Sequence, residues 1–230
     1  MNNATPGVPG NGLTAGGLTA GGPADELRQL LSRDARQVAP QLLGAVMTHE
    51  GRDGPVSVRI TEVEAYLGPH DSLHPDPGSH TFRGATARNA VMFGPAGHLY
   101  VYFTYGMHHC ANIVCGPDGV ASALLLRAGE IVAGEPLALK RRPTSKASKD
   151  LASGPARLAT ALGITTADSG RDALLAPFRL ELPAVPAVDV LSGPRVGVSG
   201  AGGTDEYPWR FWLRGDPTVS RYKAAKVRLK

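Results

Sequence analysis

The chain has 230 residues, of which 42% are hydrophobic and 19% charged, enough for one full core in one domain. No run approaches the roughly 18–20 apolar residues of a membrane span, and the start MNNATPGVPG lacks the basic lead and apolar core of a secretory signal. The formal charge of +4 is mildly basic, and the cations cluster in two places: Lys140, Arg141, Arg142, Lys146 and Lys149, and the final RYKAAKVRLK with Arg221 and Lys223. Such clusters read as solvated surface or as contacts to nucleic acid.

Residues 1–24, with the near-repeat GLTAGGLTAGG and no charge before Asp25, cannot bury enough apolar area to offset their ordering entropy. They are expected to be a disordered tail, with the folded domain spanning 25–230. Leu27, Leu30 and Leu31 have helical spacing, Pro40 is expected to interrupt, and a hairpin turn is expected between Gly51 and Pro55. The strand VSVRITEVEAYLGP follows. With a period of two, Val56, Val58, Ile60, Glu62, Glu64 and Tyr66 share a face that begins apolar and ends acidic and aromatic. Beyond it runs a long Gly/Pro/His loop, a length more often functional than not. Three or four short strands are expected from His98 to about Ile131, then two helical pieces joined by a basic loop, then short strands broken by Pro and Gly. The pattern is α+β: a single domain with a mainly antiparallel, curved β-sheet flanked by helices.

Several polar residues sit where a core would not place them. Glu62 and Glu64 are either solvated acids at a strand end or a carboxylate pair whose pKa values are pushed apart for acid–base work. HLYVYFTYG turns Tyr100 and Tyr102 to one face and Leu99, Val101, Phe103 and Tyr105 to the other. Those tyrosines are either ordinary strand aromatics or, with Tyr66, the walls of a pocket that stacks on a flat ring. Asn112 in CANIVC and Arg127 in LLLRAGE stand in apolar strands and need partners, since burying an amide unpaired costs roughly 2–7 kcal/mol. A carboxylate such as Glu64 is the expected partner of Arg127. Cys110 and Cys115 are an odd number of positions apart in one predicted strand, so they face opposite ways and are not expected to be bridged. His70, His74, His80, His108 and His109 lack metal-ligand spacing, and Pro75 and Pro77 preclude a helix that would align His70 with His74. No metal or cofactor is expected. GVSGAGG at 197–203 fits no phosphate-binding loop and reads as a flexible surface turn.

Taken together, ITEVEAYLGP, SHTFRGATARNAVMFGPAGHLYVYFTYGMHHCANIVCGPDG, ALLLRAGEI, SGPARLATALGI, PRVGVSGA and WRFWLRGDPTVSR resemble the alkyladenine (3-methyladenine) DNA glycosylase family, in family order over about residues 25–222. The resemblance implies a base-excision repair enzyme that flips alkylated or deaminated purines, such as 3-methyladenine or hypoxanthine, out of duplex DNA. It would hydrolyse the N-glycosidic bond and leave an abasic site, without cofactor, metal or lyase lysine. It implies Glu64 as the general base and Arg127 as the residue positioning that carboxylate and its water. Tyr66, His80 and Tyr102 would stack around the base, with His74 the rival of His80 because the Gly68–Ser79 segment is longer than the family pattern. Tyr105 would be the wedge entering the duplex. Asn112 would oppose the guanine amino group, and Arg141, Arg142, Arg221 and Lys223 would contact phosphates. The implied partner is double-stranded DNA containing a damaged purine, bound by a cytoplasmic monomer, nucleoid-associated if bacterial, with no membrane or obligate protein partner. Two alternatives use the same residues: a non-catalytic binder of damaged or distorted nucleic acid, and a carbohydrate or nucleoside hydrolase employing Glu62 with Glu64.

Overall fold

The computed structural model describes residues 22–104 and 106–225. Residues 1–21, Tyr105 and residues 226–230 lie outside that description, and with them the readings of the tail and of the wedge. Helix α1 (Pro23–Leu31) begins at Pro23 rather than Asp25. Proline suits the first helical position, where no N–H is needed, and the Asp25 carboxylate accepts the Gly22 N–H at 3.1 Å. The break expected at Pro40 occurs earlier. Asp34 caps α2 (Ala35–Leu42) by accepting the Arg36 N–H at 2.8 Å, and Pro40 lies inside that helix. It stands in the last turn, where its missing N–H removes a single intrahelical bond.

The sheet is built around one long strand. The hairpin of β1 (Val46–Gly51) and β2 (Gly54–Tyr66) closes at Gly51 opposite Gly54. The other edge of β2 pairs with β5 (Ala123–Ala133), which continues to β4 (His108–Val114) and β3 (Leu99–Thr104). The edge that β1 leaves free beyond Arg59 is taken at Glu62–Glu64 by β8 (Arg210–Leu213), which in turn pairs with β7 (Val190–Gly193). Strand β6 (Phe178–Glu181) completes the order on β1. These pairings are antiparallel, and the sheet curls into a half-barrel. Helix α4 (Pro155–Leu162), preceded by α3 (Glu135–Arg141), packs on one face against β4, β5 and β2. None of the described helices is long and apolar enough to cross a membrane.

The main core lies between the sheet and the helices, with Leu31, Val38, Leu42, Met47, Leu124, Leu158 and Leu162 fully buried. A smaller cluster of Met92, Tyr100, Val114 and Ala123 lies apart from it, with Tyr66 and Tyr102 packed against it.

The single face read for β2 is corrected by a bulge. Between the pairs Ile60↔Gly129 and Glu62↔Ala128, Thr61 has no partner, and between Glu62↔Ala128 and Val63↔Leu126, Arg127 has none. An unpaired residue shifts the two-residue alternation and turns the following side chains over. Val56, Val58 and Ile60 therefore share the main core with Val63 and Ala65, while Glu62, Glu64 and Tyr66 turn the other way. A strictly periodic strand would have driven both carboxylates into the apolar core.

Gly129, opposite Ile60, allows the close approach of β2 and β5 at this point: a Cβ there would collide with Val58 Cγ1 and lie 2.6 Å from the Arg59 carbonyl oxygen. Gly129→Ala is expected to destabilise the fold by about 1–3 kcal/mol through overpacking. Val132→Ala, at a 47% exposed position of the same strand, is expected to stay within about 0.5 kcal/mol. Urea denaturation of the two variants checks the contrast.

Candidate active site

Beyond the bulge, β2 presents its polar residues to a cavity of about 370 Å³. β3 contributes Tyr100 and Tyr102 to its lining, β4 Cys110 and Asn112, and β5 Leu125 and Arg127; His80 comes from the long loop and Val196 to Ser199 from the segment after β7. The cavity holds most of the residues singled out in the sequence. Arg221 and Lys223 lie elsewhere, exposed near the C-terminus.

Glu64 has no solvent exposure. Its Oε1 accepts the Val196 N–H at 2.7 Å and its Oε2 accepts the Tyr66 hydroxyl at 2.9 Å. Arg127 Nε stands 3.5 Å from Oε1. Burial raises the Glu64 pKa above its ordinary value, against the opposing pull of Arg127, the Val196 N–H and the Tyr66 hydroxyl. The reading of these acids as a solvated strand end is thereby overturned. The same burial, reinforced by the Glu64 charge, raises the Tyr66 phenol well above its usual range, so it stays a hydrogen-bond donor.

Arg127 has a nearer partner than the one expected. Its Nε donates to Glu62 Oε1 at 2.8 Å, and Arg210 Nε donates to the same oxygen at 2.6 Å. The Ser220 N–H reaches Glu62 Oε2 at 2.7 Å. Glu62 is thus enclosed by donors from β5, β8 and the C-terminal segment.

At the cavity mouth, His80 Nδ1 lies 3.1 Å from the Tyr100 hydroxyl, and its ring meets Tyr102 edge-on with centroids 4.6 Å apart. Desolvation and the Arg88 guanidinium hold its pKa below the usual value, favouring the neutral ring. His74 lies instead beside a second hollow with Arg36 and Trp209. Asn112 is fixed by donating from Nδ2 to the Tyr100 carbonyl oxygen at 2.9 Å. Cys110 and Cys115 are free and buried. Among the described residues, no three of His, Cys, Asp and Glu converge as a metal-binding group.

Two of the cations expected at the surface have partners within the fold. Arg141 is committed within the fold: Nη1 donates to the Ala161 carbonyl at 2.8 Å and Nε to Asp53 at 3.2 Å, which ties α3 to α4 and to the β1–β2 turn rather than leaving a cation for phosphate. Arg142 Nε reaches the Leu151 carbonyl at 3.3 Å, and desolvation and Arg157 lower its pKa.

A buried pair beside the cavity that was missed in the sequence is Asp76 with Arg195. Arg195 is fully buried, donates to both Asp76 oxygens at 2.7 Å and to the Ala65 and Gly202 carbonyls, and lies 4.6 Å from the Tyr66 ring centroid. Asp76 also accepts the Leu67 and Gly78 N–H groups. The long loop after β2 therefore supplies the anion that holds a guanidinium against Tyr66. The 197–203 turn is likewise not a free surface turn, because Val196 to Ser199 line the cavity. Gly202 is buried, and a Cβ on it would collide with the Gly78 amide nitrogen. An arginine just ahead of a glycine-rich stretch, with an aspartate between two prolines elsewhere, was the available signal.

Removing one member of a buried pair leaves the other uncompensated. Asp76→Asn is expected to destabilise the chain by roughly 3–5 kcal/mol in urea denaturation. Glu64 gives the opposite sign. Its folded pKa is raised above the ordinary 4.5, so the folded chain binds the extra proton and stability falls as pH rises through that window. Glu64→Gln is therefore expected to melt higher than the native chain at neutral pH, with the difference closing as pH falls toward 4.5. Parallel thermal melts across pH check it.

Comparison with known proteins gives the family of the chain. The family model described as methylpurine-DNA glycosylase (MPG) matches residues 29–217. A protein of Streptomyces avermitilis named "Putative 3-methyladenine DNA glycosylase" is 56% identical over 201 residues, covering 86% of this chain and 91% of its own. One of Leifsonia xyli with the same name is 58% identical over 191 residues, 81% and 87% of the two chains. The match takes in the β2 carboxylates, the aromatic cavity walls and the Arg195 segment alike, and the chain belongs to the methylpurine-DNA glycosylase family.

Proposed function

We propose that this DNA-repair glycosylase takes a damaged purine, flipped out of duplex DNA, into the tyrosine-lined cavity and hydrolyses its N-glycosidic bond with a water activated by Glu64. The observation that carries the reading is a carboxylate with no solvent exposure and a raised pKa at the wall of an aromatic cavity. Burial shifts such a group in the direction that strengthens it as a general base.

The step balances simply. Glu64 takes a proton from water as the water oxygen attacks the sugar C1′, and the bond to the purine nitrogen breaks with its electron pair leaving on the base. The proposed reaction is a simple hydrolysis that forms no imine. The volume lies within the roughly 300–1,000 Å³ usual for small-molecule sites. Tyr102 and His80 supply ring faces and edges for stacking, worth about 1–3 kcal/mol per base. Asn112, locked by the Tyr100 carbonyl, keeps a polar group against the base edge, where it would oppose the exocyclic amino group of guanine. Tyr105, which follows β3 in the sequence, is the proposed wedge that occupies the vacated stack. Arg221 and Lys223 are the proposed phosphate contacts.

Unstacking costs a few kcal/mol, least for a damaged and poorly paired base, so selection begins before the cavity is entered. The proposed substrates include both alkylated purines and neutral lesions such as hypoxanthine.

Glu64→Gln is expected to lower single-turnover base release from methylated DNA or a hypoxanthine duplex by about 10²–10⁴-fold, while binding to the same duplex in a gel-shift titration is retained. Release at the native rate would remove Glu64 from its role.

A further inference from the structure

Glu62 is buried as completely as Glu64, yet no step of the proposed reaction uses it. It does not line the cavity. Its two oxygens are occupied by Arg127 Nε at 2.8 Å, Arg210 Nε at 2.6 Å and the Ser220 N–H at 2.7 Å. The Arg127 Nε that donates to Glu62 is also the atom 3.5 Å from Glu64 Oε1. One guanidinium edge thus lies between two carboxylates, hydrogen-bonded to the one outside the cavity and in looser contact with the one inside.

The arrangement would fail with either neighbour alone. A guanidinium closed fully onto Glu64 would satisfy the lone pairs that must receive a proton. A guanidinium withdrawn altogether would leave a buried carboxylate with one backbone N–H and one phenol, too little to keep it ionised. We propose that Glu62 is a positioning residue for the reaction: anchored by Arg210 and Ser220, it holds Arg127 at a distance that supports Glu64 as an anion without capturing it. The proposal rests on the reading of Glu64 as the base.

The groups that face Glu64 are consistent with this balance. Arg127, the Val196 N–H and the Tyr66 hydroxyl favour its charged form, and Glu62 disfavours it. At longer range the Tyr102 phenol, the Cys110 thiol and the Arg195 guanidinium feel the same carboxylate from β3, β4 and the segment after β7.

The test is the pH dependence of single-turnover base release from a hypoxanthine duplex by the native chain, Glu62→Gln, Glu62→Asp and Arg210→Gln. Removing the Glu62 charge frees Arg127 for Glu64, so the acid limb is expected to move to lower pH by about one unit, the size of effect a close charge exerts. The plateau rate is expected to fall with it, because the base is weaker. Removing Arg210 leaves Glu62 to draw Arg127 closer, and the limb is expected to move to higher pH. Glu62→Asp, which keeps the charge, is expected to return the limb toward the native position.

Lower rates with an unmoved limb would reduce Glu62 to a structural anchor and overturn the proposal, as would movement of the limb in the opposite sense. Should Glu62→Gln fail to fold, Arg210→Gln and Glu62→Asp decide the matter on the same readout. Glu64→Gln, run alongside, separates the two ideas. If it releases base at the native rate, the reading of Glu64 falls; if it is inactive while the limb stays fixed in the other variants, the inference about Glu62 falls by itself.

Discussion

Two carboxylates without solvent exposure, Glu62 and Glu64, determine what the rest of the fold has to supply. A buried ion is tolerable where donors surround it, and the idealised cost of removing one from water is of order 20 kcal/mol. The donors come from segments far apart in sequence: Arg127 on β5, Arg210 on β8, Ser220 beyond it, and the Val196 amide after β7. The edge of β2 left open past β1 is where β8 docks, with Glu62 opposite Trp212 and Glu64 opposite Arg210. The C-terminal segment is then fastened by Thr218 to Thr61 at 2.9 Å, and the Lys223 carbonyl accepts the Gly197 N–H at 2.9 Å, bracing the turn that carries Val196. The late strands and the strap beyond them thus serve the polar end of β2 as much as they extend the sheet.

The bulge reconciles that polar end with the apolar beginning of the same strand. Thirteen residues from Gly54 to Tyr66 run through one sheet position, yet the first half must offer Val56, Val58 and Ile60 to the helices and the second half Val63 and Ala65. Without an unpaired residue at Thr61 one of these sets would face the wrong way. With it, Ile60 and Val63 lie in the same core although their positions differ in parity. On β5 the ordinary alternation holds up to that point, with Leu124 and Leu126 in the core while Leu125 and Arg127 line the cavity.

Much of this was legible in the sequence, and what was not has a physical reason. The α+β class, the hairpin at Gly51, the helical pieces around 135–162 and the convergence of Glu64, Tyr66, Tyr102, Asn112 and Arg127 on one cavity all follow from local pattern and from polar residues standing in apolar strands. The bulge does not, because periodicity assumes an unbroken strand, and nothing in ITEVEAY marks Thr61 as the unpaired position. The nearer partner of Arg127 was obscured for the same reason. The pairing of Asp76 with Arg195 left only a faint local signal, because the two are 119 positions apart and each taken alone looks like a loop charge. Arg141 reads as a surface cation until the turn at Asp53 and the end of α4 are folded beside it.

Arg195 also changes how the proposed pocket treats charge. A cationic purine is attracted to an electron-rich ring face by about 0.5–2 kcal/mol, and tyrosine walls suggest a preference for cationic lesions. Here the Tyr66 ring already has the Arg195 guanidinium 4.6 Å from its centroid, and Tyr102 has Arg88 at 5.8 Å. Each cation draws on the same quadrupole that a charged base would use and repels that base across the ring. Stacking area, shape and the Asn112 edge then carry more of the recognition than charge does. On the proposed function, a cavity so arranged would accept a neutral flat ring on nearly equal terms with a cationic one. Under that proposal, discrimination would be left to the ease with which a damaged pair opens and to the leaving ability of the base once Glu64 had activated the water.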